Sequence, residues 1–208
     1  ADLLRWMGMV HAERGSLDAA VEAFEASRTA AEQGGAGEEE AAAHLCLANV
    51  ELLRGNLDEA ATVFLKAREL SEEAGHDRLV AQIDQNLGTI ANIQGNVAIA
   101  LLSYRSALER YRKLGDEFTA TRALNNMGMA HVDLAEWEAA ETCFAEASEL
   151  AARTGDTMMV GKVELNTAEL HIKRRRYVAA SESVERSLNV FHRLRAKPGI
   201  AEAYKFHG

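Results

Sequence analysis

The chain has 208 residues, 48% hydrophobic and 26% charged, with a formal net charge of −9, a balance that excludes a disordered polypeptide. No apolar run approaches the roughly 18 residues of a membrane span, and two cysteines, Cys46 and Cys143, make neither a disulfide framework nor a cysteine-rich zinc site. Residues 1–160 carry 13 Lys/Arg against 27 Asp/Glu, whereas residues 161–208 carry 10 against 5, so the acidic body argues against nucleic acid as the main partner. The opening Ala1-Asp2-Leu3 carries no secretory signal pattern, and the separated cysteines read as reduced thiols in a cytoplasmic protein.

Thirty-eight alanines and a single proline, Pro198, predict an all-helical fold. A step of 40 residues recurs without insertion or deletion. It links Gly8, Ala48, Gly88, Gly128, Ala168 and Gly208, all small, and Ala20, Ala60, Ala100, Ala140 and Ala180. Four residues after each alanine stand Phe24, Phe64, Tyr104, Phe144 and Val184, and three further on Ser27, Ala67, Ala107, Ala147 and Ser187. An ordinary antiparallel bundle has no need of so fixed a step.

In chain order the units span about 1–37, 38–77, 78–117, 118–157 and 158–197, with a partial sixth over 198–208. Each reads as a helix A and a helix B; in the third, helix A covers roughly 78–94 and helix B roughly 97–114. Gly15-Ser16, Gly55-Asn56 and Gly95-Asn96 mark the A–B turn, where Gly closes one helix and Ser or Asn caps the next. Gly35, Gly75, Gly115 and Gly155 mark the turn between units, with Asp77, Asp116 and Asp156 as candidate N-caps. Gly34-Gly35-Ala36-Gly37 reads as the loosest connection, and Glu38-Glu39-Glu40 as charge suited to a helix start. The small residue at position 8 is expected to face position 20 across the hairpin, leaving the aromatic at position 24 to pack on the next unit.

These positions resemble the tetratricopeptide repeat, in the 40-residue variety of bacterial regulators and animal cell-polarity scaffolds. The resemblance covers the whole chain. It departs at position 4 (Leu4, His44, Asp84, Leu124, Glu164), at position 11 (His11, Glu51, Ala91, His131, His171) and most in the fifth unit. It implies an α-solenoid, a right-handed superhelix of antiparallel helix pairs forming one domain. Ala1–Gly8 and Ala201–Gly208 both read as parts of helices A, so a segment of a longer protein with exposed apolar end faces, open to end-to-end association, is expected.

The resemblance further implies a concave, peptide-binding face lined by positions 2, 5, 6, 9, 12 and 13 of helix A. In the second unit these include Leu45, Cys46, Asn49 and Leu52; in the third, Gln82, Gln85, Asn86, Thr89 and Asn92. In the fourth they include Arg122, Asn125, Asn126, Met129 and Asp133; in the fifth, Lys162, Leu165, Asn166, Glu169 and Lys173. Asn86, Asn126 and Asn166 share position 6, either to pair with a ligand backbone or to bond neighbouring helices. Of the family's clamp for a C-terminal carboxylate, Asn49, Asn86 and Arg122 match in type, whereas Leu45 and Asn126 replace cations. Arg122 and Lys162 favour a ligand with negative charge.

Lys173-Arg174-Arg175-Arg176 reads as a solvated turn, with contact to a neighbouring domain or nucleic acid as alternatives. His11, His131 and His171 read as packing residues rather than a metal site. No phosphate loop, nucleophile elbow or HExxH motif occurs, so no catalytic residues, metal or cofactor are assigned. The expectation is a scaffold for a protein or peptide, serving as a sensing or adaptor arm of a regulatory protein. The alternatives are a regulator answering a short peptide, a self-association module using its end faces, and an arm masking an attached catalytic domain.

Overall fold

The computed structural model describes residues 1–206, in which eleven α-helices, and no strand, fall into two units. The first unit, Ala1–Asn96, contains α1 (Asp2–Glu13), α2 (Leu17–Gly34), α3 (Gly37–Arg54), α4 (Leu57–Glu73) and α5 (Asp77–Ile93). The second, from Val97 onward, contains α6 (Val97–Lys113), α7 (Glu117–Asp133), α8 (Trp137–Thr154), α9 (Thr157–Lys173), α10 (Tyr177–Arg193) and α11 (Lys197–Tyr204). Odd-numbered helices are the helices A of the repeat and even-numbered ones the helices B. The partial sixth unit is thus a short helix opened by Pro198 in its first turn. Gly208, assigned to the small position of that unit, lies outside the described residues.

In the first unit α1 pairs with α2 and α3 with α4, while α2 lies on α3 and α4 on α5. In the second, α7 pairs with α8 and α9 with α10, and α6, α8 and α10 lie on α7, α9 and α11. The repeating residues form this seam. Ala20, Ala60, Ala100, Ala140 and Ala180 are all buried, as are position 24 (Phe24, Phe64, Tyr104, Phe144, Val184) and position 27. Phe24 packs with Leu47 and Val50 of the next helix A, and Phe64 with Ile83 and Ile90. Burying each such ring contributes about 1.5–3 kcal/mol. Ser27 and Ser187 reach back to helix A, donating to the carbonyls of Ala1 (2.9 Å) and Gly161 (2.8 Å).

The small residue at position 8 lies against an aromatic ring. A Cβ on Gly8 would lie 2.4 Å from the Phe24 ring, and one on Gly128 would lie 2.4 Å from the Phe144 ring. At Gly8 and Gly128 the small residue therefore makes room for the position-24 aromatic of its own hairpin.

The turns recur every 20 residues. Gly15, Gly35, Gly55, Gly75, Gly95, Gly115 and Gly155 all take positive φ, and so do Ala135, Arg175 and Arg195 in the intervening places. Each turn bonds the amide after this residue to a carbonyl five residues earlier, as in Ser16 to His11 (2.9 Å) and Arg176 to His171 (2.8 Å). Asp116 and Asp156 cap α7 and α9, accepting from Thr119 N (3.1 Å) and Met159 N (3.0 Å). Three expectations need correction. Ser16 and Asn56 stand at the N-cap without a side-chain cap bond, and Asn56 instead donates to Glu51 Oε2 (2.7 Å). Asp77 is the first residue of α5, behind His76. Gly34 and Gly37 are helical, so the first inter-unit connection is as tight as the others.

Candidate functional site

In the first unit a cavity of about 430 Å³ opens among α1, α3 and α5. Met9, Leu45, Leu53 and Leu79 supply apolar walls, Phe24 and Val50 lie beneath, and Arg5, Asn49 and Gln82 provide the polar rim. The fold brings the predicted Asn49 and Gln82 to one opening together with Leu45 and Cys46. The α1 contribution was missed. Arg5, Met9, Ala12 and Glu13 line the cavity from positions 5, 9, 12 and 13, and carrying the same inward positions into the first repeat would have found them.

The electrostatics of this opening are unevenly satisfied. Arg5 Nη2 donates to Asp2 Oδ1 (2.7 Å), but its buried Nε has no hydrogen-bond partner among the described residues. Elsewhere on α5 the buried side-chain amide oxygens Gln85 Oε1 and Asn92 Oδ1 are likewise without partners among the described residues. Unmatched donors and acceptors of this kind are costly. Burial pushes the Cys46 thiol up to about 11, so at neutral pH it is a neutral, apolar wall. Asn86 Nδ2 donates to Asn49 Oδ1 (3.0 Å), tying α5 to α3, and Thr89 Oγ1 donates to the Gln85 carbonyl within its helix (3.1 Å).

In the second unit α7 and α9 pack side by side. Asn166 Nδ2 donates to the buried Asn125 Oδ1 (2.8 Å). Two of the three asparagines at position 6 therefore bond a neighbouring helix A, using one of their two N–H groups. Asn126 and Met129 are half-buried on α7. Arg122 and Lys162 are exposed, and among the described residues neither has an acidic partner. The Arg122 guanidinium lies 5.4 Å over the Phe118 ring. Phe118 is 46% exposed and Met158 40%, one turn before Arg122 and Lys162. Sequence reading missed this apolar pair, although an apolar residue four places before a cation, repeated at a 40-residue step, is a legible signal. Farther along α9, Glu169 and Lys173 line a second cavity of about 560 Å³ with Tyr177 and Phe206. Burial holds the Glu169 carboxyl above the usual carboxylate range, against the pull of Lys173.

The basic run is not a solvated turn throughout. Arg174, 16% exposed, is clamped to Glu141 and lies 3.9 Å from Glu138 on α8, and Arg176 reaches Glu141 at 3.2 Å. Arg186 bonds Glu164 (2.9 Å). Arg174 belongs to a ladder along the A–B turns, in which position 14 meets the acid at position 18 of the preceding repeat. Arg54 pairs with Asp18, Gln94 Nε2 donates to Asp58 Oδ1 (2.9 Å), and Arg174 stands by Glu138. The histidines at position 11 pack at the turn. His131 Nδ1 lies 2.6 Å from Glu136, while the buried His171 Nδ1 has no hydrogen-bond partner among the described residues.

Helix pairs at a 40-residue step, with helices A presenting amides, cations and an apolar cavity, define a helical-repeat binding protein. Two tetratricopeptide repeat models match residues 38–113 and 121–154, together just over half the chain, and the chain belongs to the tetratricopeptide repeat family. No curated protein matches it. Among solved structures it is similar to a signal transduction ATPase with numerous domains from Pyrococcus horikoshii, which carries a tetratricopeptide repeat sensor. That match has 20% identity and a TM-score of 0.84, and covers 98% of this chain and 31% of the other. It is similar to BtubC from P. vanneervenii at 18% identity and a TM-score of 0.80, covering 94% of this chain and 81% of that one. It is also similar to the Rap conjugation gene regulator of plasmid pLS20 in complex with the Phr* peptide. There the identity is 19%, the TM-score 0.77, and the coverage 100% of this chain and 57% of that chain. The fold is that of a protein-interaction scaffold, and no described helix is long and apolar enough to cross a membrane.

Proposed function

We propose that the helix A faces bind a peptide segment of a partner protein and that the chain works as a sensing or adaptor arm, by recognition rather than catalysis, in the cytoplasm. The observation that carries this reading is the 430 Å³ cavity among α1, α3 and α5. Its apolar walls suit one large apolar side chain, and the rim amides of Asn49 and Gln82 suit the flanking peptide backbone. In the second unit Arg122 and Lys162, beside Phe118 and Met158, suit an acidic residue next to an apolar one. The likeness to a regulator crystallised with the Phr* peptide supports a short peptide as the ligand, the reading in which the chain is the receptor of a signalling peptide.

A random 12-residue peptide library displayed on phage tests the reading directly. The wild-type chain should enrich sequences pairing acidic with bulky apolar residues. Arg122→Glu with Lys162→Glu should lose the acidic preference, and Leu45→Lys should lose the apolar one. Enrichment of the same sequences by all three proteins would refute it.

A further inference from the structure

A cavity of about 280 Å³ lies among α8, α9 and α10 in the second unit. Its α9 residues stand at positions 3, 4, 7, 10 and 11 of the repeat, none of them an inward position. It is therefore separate from the faces assigned to the peptide. Phe144, Val163 and Leu170 are its apolar walls.

Comparison with the other seams shows why it is open here. In α2, α4 and α6 position 28 is long: Arg28, Arg68 and Leu108. Arg68 Nε donates to Oδ1 of the buried Asp84 (2.7 Å), at position 4 of the next helix A. Leu108 and Leu124 hold the same two places, and both are buried. Position 7 of those helices A is Leu47, Leu87 and Met127. Between α8 and α9 both places shrink and become polar, as Ser148 and Thr167, and both residues line the cavity. Glu164, at position 4, is met instead from α10 by Arg186 Nε (2.9 Å).

The groups around the cavity define its occupant. Glu164 is paired with Arg186, and Glu141 with Arg174 and Arg176, so neither an anion nor a cation is favoured. No asparagine or glutamine is among the lining residues, so a peptide backbone finds none of the amides that border the first cavity. His171 also lines this cavity, and its buried Nδ1 has no hydrogen-bond partner among the described residues, a costly state for a polar atom. Burial lowers the His171 pKa, with Arg176, Arg174 and Arg186 adding to it and Glu141 opposing. The ring is thus neutral at pH 7, and with its proton on Nε2 it offers Nδ1 as an acceptor. An apolar cavity of about 150 Å³ holds benzene, and 280 Å³ has room for two fused rings.

We propose that this cavity binds a small neutral indole-type molecule, its rings against Phe144, Val163 and Leu170 and its N–H donating to His171 Nδ1. Indole itself is the probe. It is titrated into the ¹⁵N-labelled full 208-residue chain, and amide chemical shifts are read. Saturable shifts are expected at residues 144–148 and 163–171, with a Kd of about 1 mM or tighter. Benzothiophene has the same shape without the N–H and should bind about fivefold or more weakly. His171→Phe should weaken indole to the level of benzothiophene and leave benzothiophene unchanged, a split that lost packing alone would not produce. Ser148→Arg gives α8 the residue that α2 and α4 carry at this position and should abolish binding of both. Dispersed spectra check that each variant is folded, and the wild-type comparison of the two probes stands without them. N-acetyltryptophan amide should bind no more tightly than indole. Shifts that fail to saturate, shifts centred elsewhere, or equal affinity for indole and benzothiophene overturn the proposal. Tighter binding of N-acetyltryptophan amide than of indole overturns it in favour of a partner's tryptophan side chain.

Discussion

The two units build the same turns from different residues. In the first, all five positive-φ positions are glycine: Gly15, Gly35, Gly55, Gly75 and Gly95. In the second, Gly115 and Gly155 alternate with Ala135, Arg175 and Arg195, at φ of 56°, 58° and 53°. A side chain in the left-handed region costs about 1–2 kcal/mol, yet the hydrogen bonds of the turn are kept, with Glu136 N to His131 O at 2.9 Å and Asn56 N to Glu51 O at 2.9 Å. Packing of successive helices imposes the turn, and glycine only makes it less strained. The second unit carries strain that the first does not.

The largest effect expected from this comparison is the one that should not distinguish the units. Gly8→Val and Gly128→Val each push a side chain into a ring 2.4 Å from the added Cβ, and each should destabilise by about 1–3 kcal/mol or more in urea unfolding. A neutral result at either would refute the assigned contact of position 8 with position 24. Next come the turns, where the units should respond with opposite sign. Gly55→Ala should cost about 1 kcal/mol, while Ala135→Gly and Arg175→Gly should gain up to about 1 kcal/mol. Urea midpoints moving the same way in all three variants would contradict the account of strain.

Smaller effects come from the asparagine bridges. Asn166→Ala leaves the buried Asn125 carbonyl without its donor and should cost about 1–2 kcal/mol. Asn86→Ala, which frees the half-buried Asn49, should cost less. The smallest effect is on pH dependence. Burial lowers the pKa of His44 in the first unit, with Arg28 adding to it, and that of His171 in the second, with Arg176 adding to it. A histidine depressed in the fold binds its proton more tightly when unfolded, so stability is present above the ordinary imidazole value of about 6.5 and is lost as pH falls through it. His44→Gln and His171→Gln should each flatten the fall in stability between about pH 7.5 and 5.5, as urea titrations at several pH values will read.

Much of this architecture was legible because the repeat has no insertion. The helices expected over 78–94 and 97–114 are Asp77–Ile93 and Val97–Lys113, and the alanine and aromatic columns are buried throughout. Contacts between columns were less legible. Spacing gives the face of a helix but not which residue of the partner helix fills it, so the contact of Gly8 with the Phe24 ring is visible only in the structure. The turns at Ala135, Arg175 and Arg195 carry no glycine to announce them, and their geometry follows from packing rather than local preference. In the candidate site the inward positions were readable, but the cavity was not, because its volume depends on Met9, Leu53 and Leu79 converging from three helices. The charge ladder was in the sequence as Asp18 with Arg54 and Glu138 with Arg174, and is visible only when position 18 of one repeat is compared with position 14 of the next.

The central claim, that a peptide occupies the helix A face of the first unit, has a built-in reporter. Cys46 lines the α1–α3–α5 cavity, whereas Cys143 is buried on α8 of the second unit and is not among its lining residues, and both are free thiols. Alkylation of the two cysteines is followed by peptide mass mapping at about pH 9, where the small thiolate fraction is about a hundredfold larger than at pH 7, with and without a library-selected peptide. The account predicts that the peptide slows modification of Cys46 severalfold and leaves Cys143 unchanged. Saturating peptide that leaves Cys46 as reactive as before would contradict it.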